Sequence, residues 1–381
     1  MMRLSEIFRA DGFLRKVFAM MRKEVLQLRR DRVTLATMIS VPLMQLILFG
    51  YAINTTPRDL PTAVLLQEHT DVGRSILAAL KNTKYFKIEY QAKTPQEFDY
   101  LLAAGKVLFG VEIPANFERG VRRGDRPALL VAADATDPVA AGSAMAALSG
   151  IVQTALVHDL GIPESAPPPF EIRAHARYNP AGKTELNIVP GLLGTILTMT
   201  MLIFTSLSVT RETERGTMES LLSMPITPLE IMLGKIAPYV VIGIMQAALI
   251  IGAGALMFHV PIVGNFFLLS ILTTLFIATN LSLGFTFSTL AENQLQAVQM
   301  SMMSFLPSIL LSGFLFPFAG MPQWAQYLGE IFPLTHFIRI ARAVMLKGST
   351  LMDLRFDAGM LVLLMLIAMG IAVTRFRRTL D

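Results

Sequence analysis

The chain has 381 residues, of which 53% are hydrophobic and only 16% are charged, and its mean hydropathy is +0.54. Because an average soluble protein carries about 25% charged residues, this composition excludes an ordinary soluble domain and favours a membrane protein. The chain has no cysteine, which excludes structural disulfides and thiolate chemistry. The net charge of +5 does not indicate a nucleic-acid partner, since the basic residues gather beside the expected membrane spans.

Six apolar stretches are long enough, or nearly so, to cross a bilayer, which takes roughly 20 apolar residues. None of them contains Lys, Arg, Asp or Glu. The fold class expected is therefore an α-helical polytopic membrane protein with six transmembrane helices. The expected spans cover residues 33–53, 188–209, 236–258, 266–290, 297–318 and 358–374. Five or seven spans remain as alternatives, because residues 331–346 are ambiguous.

The segment before the first span, residues 1–32, carries nine Lys and Arg residues. Its apolar residues recur at helical spacing and fall within an arc of about 100°, which predicts an amphipathic helix in the cytoplasmic membrane interface. These apolar residues are Leu14, Val17, Phe18, Met21, Val25 and Leu28. The helix serves either as a topology anchor or, in addition, as a contact for a partner subunit.

The distribution of Lys and Arg predicts the orientation. Cytoplasmic loops collect these residues, and they are found in residues 1–32, in the loop 210–235 and in the tail 375–381. The short loop 259–265 contains none. Six spans with both termini in the cytoplasm satisfy this pattern. Residues 54–186 then lie outside the membrane on the opposite side.

The long segment 54–186 has the pattern of an inserted extracytoplasmic α/β domain between spans 1 and 2. Its apolar runs predict buried strands, and a capping box at Thr94–Glu97 predicts a helix that stops at Gly105. A second, Ala-rich helix is expected over 138–160, ahead of a proline-rich break. The expected strands cover 62–67, 107–113, 128–133 and 171–178.

The transmembrane region is expected to cover 187–374, and it includes an unusual outer stretch, residues 319–357. Trp324 and Tyr327 suit a membrane interface, and Pro333 interrupts the chain. The following apolar run carries Arg339 and Arg342, so it is too short and too charged to span easily. A surface helix or a re-entrant hairpin buried against protein fits better.

The loop RETERGTMESLLSMPITPLEIMLGK (211–235) contains helix, break and helix signals between spans 2 and 3. Glu212, Arg215 and Glu219 share one helical face, with Arg215 and Glu219 at ion-pair spacing. Pro225 ends this helix, and a capping box at Thr227–Glu230 begins the next. Met218, Leu221 and Leu222 form an adjacent apolar face. The pattern alone fits either a rigid element that transmits a push or a well-capped surface turn.

The sequence contains no complete motif for catalysis, nucleotide binding or metal binding. Gly182-Lys183-Thr184 is the end of a phosphate-loop motif, but Arg177 stands where the first glycine is required, and no strand–loop–helix context is expected there. The histidines are scattered without metal-ligand spacing, so no catalytic residue, metal or cofactor is expected. The few polar groups in the spans favour an apolar or amphiphilic cargo over ion coupling, or simply bond neighbouring helices. They are Gln45, Gln246, Asn280 and Gln299.

The 211–235 motif resembles the signature of ABC-2 type transporter permeases. The similarity continues through residues 289–348, from TLAENQ to VMLKG, which resemble drug-efflux permeases of bacterial inner membranes. The large domain after the first span is similar to that of the subgroup paired with a periplasmic membrane-fusion protein. The resemblance implies an exporter permease without its own ATPase site.

The resemblance also implies partners and roles. Two permease subunits, identical or not, would form the pathway in the lipid membrane, and two cytoplasmic ATP-binding-cassette ATPase subunits would drive it. Residues 211–224 would be the coupling helix on the ATPase, 13–32 the connecting helix, and 321–346 the outer re-entrant hairpin. The implied ATPase-coupling residues are Glu212, Glu214, Arg215, Thr217, Met218, Glu219 and Leu221. No substrate-binding residue can be named.

Two other hypotheses remain open at the level of sequence. A non-transporting membrane scaffold, whose outer domain organises an envelope assembly, predicts no tight ATPase partner and tolerance of substitution at Glu219. A secondary carrier is disfavoured by the charge-free spans and by the lack of internal symmetry.

Overall fold

The computed structural model describes residues 58–156, 167–214 and 228–378. The expected interfacial helix in 1–32, the first span 33–53 and most of the 211–235 motif lie outside the described residues. So do five of the implied coupling residues, namely Arg215, Thr217, Met218, Glu219 and Leu221. Glu212 and Glu214 are described.

The first half of the described chain forms an α/β domain around a five-stranded sheet. Its elements in chain order are β1 (Leu60–Leu66), α1 (Asp71–Asn82), β2 (Phe86–Ala92), α2 (Pro95–Ala103), β3 (Phe109–Ile113), α3 (Phe117–Arg123), β4 (Ala128–Asp134), α4 (Pro138–Thr154) and β5 (Glu171–Arg177). The strand order is β2-β1-β3-β4-β5, and only the β3–β4 pair is antiparallel.

The sheet is buried on both faces because successive strand residues point to opposite sides. On β1, Leu60 and Val64 pack in the larger core with α1 and α4, whereas Ala63 and Leu65 face the core that α2 covers. Gly110 on β3 leaves room for α2, since a Cβ there would lie 2.3 Å from the Phe98 ring. The α/β architecture expected from the sequence is therefore present.

The helix boundaries of this domain follow from capping. The Thr94 side chain accepts from the Glu97 amide and begins α2, and Gly105 takes the left-handed conformation (φ +67°) just after it ends. Both features agree with the sequence prediction. Three elements were not expected: α1, the edge strand β2 and α3. Thr70 caps α1 in the same way, by accepting from Gly73 N.

The second half is helical. Its helices are α5 (Glu185–Glu214), α6 (Pro228–Phe258), α7 (Phe266–Leu290), α8 (Gln294–Leu311), α9 (Gln323–Gly329), α10 (Pro333–Arg342) and α11 (Arg355–Arg378). A 3-10 turn (Phe318–Gly320) precedes α9, and a π-helical turn (Ala343–Lys347) follows α10.

Among the described residues, four helices are long and apolar enough to cross a membrane: α5, α6, α7 and α11. They coincide with the second, third, fourth and sixth expected spans. The bounds of the fifth, expected over 297–318, need correction, because α8 begins at Gln294 and ends at Leu311, and it is not among the four. Gly313 adopts a left-handed conformation (φ +82°), and Pro317 lacks an amide hydrogen, so the helix cannot continue.

Helices α5 and α7 form the centre of the bundle. In their apolar windows, 61% and 50% of the residues are buried, against 17% in α6 and in α11. Gly284 allows the close contact between the two central helices, since a Cβ there would lie 2.8 Å from the Leu202 carbonyl oxygen and 3.0 Å from Thr205 Cβ. Small residues at helix crossings allow backbones to approach in this way.

The stretch that was expected to lie outside folds mainly as two short helices, α9 and α10, which are named the outer helices after that expectation. Helix α10 is buried along most of its length, and its Phe337 ring stacks on Phe276 of α7 at a centroid distance of 4.0 Å. The loop before α7 also joins this region, because Val263 N and Gly264 N donate to carbonyls of the π-helical turn, at 2.9 and 3.0 Å. Burial against protein is thus observed for α10, whereas α9 exposes Tyr327 and Leu328, and a re-entrant hairpin remains a prediction.

We expect Gly284→Ala to destabilise the bundle by about 1–3 kcal/mol, because the added methyl group overpacks the α5–α7 contact. The matched control is Gly252→Ala on α6, where a Cβ meets nothing within 4 Å. That change should be neutral or slightly stabilising, since alanine favours a helix by about 1 kcal/mol over glycine. Thermal unfolding in detergent measures both, and equal midpoints would contradict the contact.

Candidate functional site

One candidate site is the junction where the end of α5 meets the start of α8. Glu214, the last residue of α5, accepts a hydrogen bond from the Gln294 backbone amide at 2.6 Å and another from the Gln294 side-chain amide. Asn293 caps α8 by accepting from Gln296 N at 2.9 Å. A carboxylate suits this position, because helix N-termini carry unpaired amides and partial positive charge.

These hydrogen bonds affect the pKa of Glu214. The side-chain and backbone bonds from Gln294 lower the pKa of its carboxyl group below the ordinary 4.5. Glu212, two residues earlier in α5, is half-buried. The structure therefore places Glu214 against a neighbouring helix, while its expected role as an ATPase contact remains a prediction.

The interior of the bundle is held together by neutral polar contacts. Thr200 of α5 donates to the Gln246 side chain of α6 at 2.9 Å, and Ser206 and Ser301 join α5 to α8 at 3.0 Å. Thr286 of α7 donates to the Ala368 carbonyl of α11 at 2.9 Å. For Gln246, helix bonding is thus the observed use. Asn280 instead bonds the Phe276 carbonyl of its own helix.

A charged network fixes the outer helices to α11. His336 is fully buried, and its two ring nitrogens lie 2.8 Å from Asp357 Oδ1 and 2.9 Å from the Glu330 carbonyl oxygen. Arg339 pairs with Glu330 at 2.6 Å and with Asp357 at 3.3 Å. The arginine that made this segment too charged to span is thus neutralised locally. The sequence indicated the arginine but not its partners, which lie 9 and 18 positions away.

A buried ion pair connects the α/β domain to the helical half. Lys347, at the end of the π-helical turn, pairs with Asp134 at the end of β4, and their side chains are 8% and 2% exposed. The other Asp134 oxygen accepts from the Thr136 amide and hydroxyl at 3.1 and 2.8 Å. Burial and the Asp134 charge raise the pKa of the nearby Tyr178. A paired, hydrogen-bonded carboxylate of this kind fixes geometry, since breaking such a pair costs about 3–5 kcal/mol.

The Gly-Lys-Thr loop needs one correction. Contrary to the expectation, it does lie between a strand and a helix, β5 and α5. However, the Asn179 side chain occupies the turn, accepting from Lys183 N at 2.8 Å and donating to the Lys183 carbonyl at 2.9 Å. With Arg177 in the first glycine position and the loop closed on itself, the segment is not built to cradle phosphates.

The family match and the similar proteins both cover most of the chain. Residues 32–374 match the family described as ABC-2 family transporter protein. The chain belongs to the ABC-2 transporter family. The match includes both the 211–235 motif and the outer helices.

Three relatives from Escherichia coli K12 are similar over nearly their whole length. "Probable multidrug ABC transporter permease YbhS" is 30% identical over 96% of this chain and 98% of its own. "Probable multidrug ABC transporter permease YbhR" is 28% identical over 88% and 91%. "Inner membrane transport permease YhhJ" is 29% identical over 96% and 98%.

Membership in the ABC-2 family decides the broad class. This chain is a permease of the ABC exporter family and a multi-pass inner-membrane protein. It is not an enzyme, because permease subunits of this family lack an ATPase site of their own. The family implies an ATP-binding partner subunit and a dimer in the membrane.

We expect the Glu214 carboxyl to titrate below its ordinary pKa of 4.5 and to move back up in Gln294→Ala, which removes the larger of the two stabilising bonds. Because this pKa is lowered, the junction is stabilised above pH 4.5 and loses this contribution as pH falls through the lowered value. A carbon-13 NMR titration of labelled glutamate, assigned with Glu214→Gln, measures this. Gln326→Ala on α9 is the control, and an unchanged pKa in Gln294→Ala would contradict the assignment.

Proposed function

We propose that this chain is the membrane-spanning subunit of an ABC exporter that moves a hydrophobic or amphiphilic small molecule out across the inner membrane. A separate ATPase subunit would supply the energy. The observation that carries the proposal is helix α5, which runs without interruption from Glu185 to Glu214 and begins the 211–235 motif at its end. At 1.5 Å per residue this helix is about 45 Å long, enough to cross a bilayer.

The packing of α5 suits the transmission of force. It contacts α6, α7, α8 and α10, so a displacement of its Glu214 end must change several helix contacts together. The bonds from Glu214 to Gln294 would carry that displacement to the start of α8. An ATPase that binds the 211–224 segment differently in two nucleotide states can therefore bias two arrangements of the bundle.

The coupling residues would divide into two roles. Glu212, Arg215, Thr217 and Glu219 would be polar contacts on the ATPase, with Met218 and Leu221 as apolar ones. Glu214 would instead hold the coupling segment to α8, as its bonds to Gln294 suggest. This division differs from the role inferred by resemblance alone, in which Glu214 also contacts the ATPase.

The arrangement across the membrane is part of the proposal. Both termini and the 210–235 loop would face the cytoplasm, and the 54–186 domain, inserted between spans 1 and 2, would face the periplasm with residues 319–357. Two contacts support grouping these outer parts: Lys347 with Asp134, and Val263 N with the Met345 carbonyl. A second permease copy and a periplasmic membrane-fusion protein would complete the assembly.

The cargo is proposed from chemistry and from relatives. Charged side chains are absent from the middle of the four described spans, which suits an apolar or amphiphilic molecule better than an ion. Two of the relatives are named as multidrug permeases. The scaffold alternative is not favoured, because these relatives are named for transport.

We expect Leu221→Asp and Glu219→Ala to reduce substrate-stimulated ATP hydrolysis of the purified complex about ten-fold, because they remove an apolar and a polar contact at a proposed hot spot. Co-purification of the ATPase subunit and ATP turnover are the measurements. Leu351→Asp and Glu185→Ala, both at exposed positions away from the 211–224 segment, are the matched controls. If all four variants behave like wild type, the coupling role is wrong and the scaffold alternative gains support.

The orientation can be tested by thiol labelling, because the natural chain has no cysteine. We expect Lys81→Cys, exposed on α1, to react with a membrane-impermeant maleimide when only the outer membrane is opened. Ser223→Cys should react only after the inner membrane is permeabilised. The reverse pattern would place the coupling segment away from any cytoplasmic ATPase and end the proposal.

A further inference from the structure

A cavity of about 410 Å³ lies between the α/β domain and the outer helices. Its walls include Ala104 and Leu108 from the domain, and Phe318 and Ile338 from the helical half. Its volume falls within the range of about 300–1,000 Å³ typical of small-molecule sites. The cavity lies apart from the Glu214 junction and contains none of the residues implied in coupling.

One polar side chain in this cavity is incompletely paired. Arg342, the last residue of α10, donates from Nη2 to the Gly313 carbonyl oxygen at 3.0 Å. Its Nε is buried, and within the described part of the chain it donates no hydrogen bond. Leaving a buried donor of a charged group unpaired costs free energy, so such a group calls for an explanation.

The other charged residues that line the cavity near Arg342 have assigned contacts. Lys347 pairs with Asp134, and Arg339 pairs with Asp357. Asp353 accepts from the Thr350 amide and hydroxyl at 2.9 and 2.8 Å.

The acid that most offsets the burial of Arg342 is Asp137. Burial lowers the pKa of the arginine, and the charges of Asp137 and Asp134 act in the opposite direction. Asp137 also accepts from Ala140 N at 3.2 Å at the start of α4. These carboxylates oppose the effect of burial on the pKa of the arginine without supplying an acceptor to Nε.

We propose that this cavity binds the oxyanion group, a carboxylate or a phosphate, of a small amphiphilic molecule. The planar guanidinium offers Nε–H beside a terminal N–H, the fork that pairs with two oxygens of a carboxylate or phosphate. The apolar side chains of Leu108, Phe318 and Ile338 provide a wall for a short hydrocarbon chain. The site stands independently of which molecule the exporter moves, because it rests on the cavity and on Arg342 alone.

The test is equilibrium binding of radiolabelled dodecyl phosphate to the full-length protein, immobilised in a neutral maltoside detergent. We expect saturable binding of about one molecule per chain. Arg342→Met should weaken it about ten-fold or more, because a hydrogen-bonded charge is lost. Arg342→Lys should recover only part of the affinity, since lysine keeps the charge but lacks the fork.

Controls separate the site from general effects. Arg74→Met, at an exposed position of α1, should bind like wild type. Ala104→Phe should block binding by filling the cavity while leaving Arg342 in place. Thermal unfolding identifies any variant that fails to fold, and Ala104→Phe provides a second measurement if Arg342→Met is unstable.

Competitors distinguish the sources of the anion. Displacement by inorganic phosphate at concentrations similar to those of dodecyl phosphate would show that a free anion suffices and would overturn the amphiphile part of the proposal. Displacement by dodecanoate and by dodecyl phosphate alone supports it. Equal displacement by dodecyltrimethylammonium, or equal binding by folded wild type, Arg342→Met and Ala104→Phe, overturns the site entirely.

Discussion

The close contact between α5 and α7 is the constraint on which the helical half depends. Between apolar helices in a bilayer there is little hydrophobic driving force, so packing and neutral hydrogen bonds must hold them. Gly284 brings the backbone of α7 against Leu202 and Thr205 of α5. Once these two helices are fixed, α6 and α11 can cover them with mostly exposed surfaces that suit lipid or another subunit.

Apart from Arg342, the charged residues described above lie where water or an oppositely charged partner can reach them. At one end of α5, Glu214 holds the start of α8, and the bond is exposed. Arg339 of α10 pairs with Asp357 of α11, and Lys347 in the following turn pairs with Asp134 of the α/β domain. Between these regions the helix contacts are made by hydroxyl and amide groups. A bundle with fixed polar ends and a neutral middle can shift its packing without burying a charge.

The sequence predicted the elements whose signals are local. Charge-free apolar runs predicted four helices that are long and apolar enough to cross a membrane, and the Thr94 capping box with Gly105 predicted both ends of α2. Elements with weaker local signals were missed. Strand β2 lies at the sheet edge and exposes much of its surface, so its hydrophobic pattern is poor. The Thr70 cap before Val72, Ile76 and Leu80, by contrast, could have revealed α1.

The end of α8 shows the limit of composition as a guide. Residues 312–318 are as apolar as the helix before them, but backbone geometry at Gly313 overrides that pattern.

Contacts between residues far apart in the sequence could not be predicted from the sequence. Nothing in the spacing of Asp134 and Lys347, which are 213 positions apart, indicates that they meet. The same holds for Glu214 and Gln294, where the motif suggested a contact with another protein and the structure shows a contact within the chain. A polar residue in a surface motif can bond within its own chain or to a partner protein. Its type does not distinguish these two uses, whereas its position in the structure does.

The outer helices show why charged residues persist in an apolar segment. If Arg339 and Arg342 served only to prevent that segment from crossing the membrane, both would need nothing more than solvent or a carboxylate. Arg339 fits this description, since it pairs with Glu330 and Asp357 and lies on the Phe318 ring at 4.4 Å. Arg342 does not, because its Nε is buried in a cavity wall without an acceptor. A topological role alone explains the first arginine, whereas the unpaired Nε of the second is the feature on which the proposed oxyanion site rests.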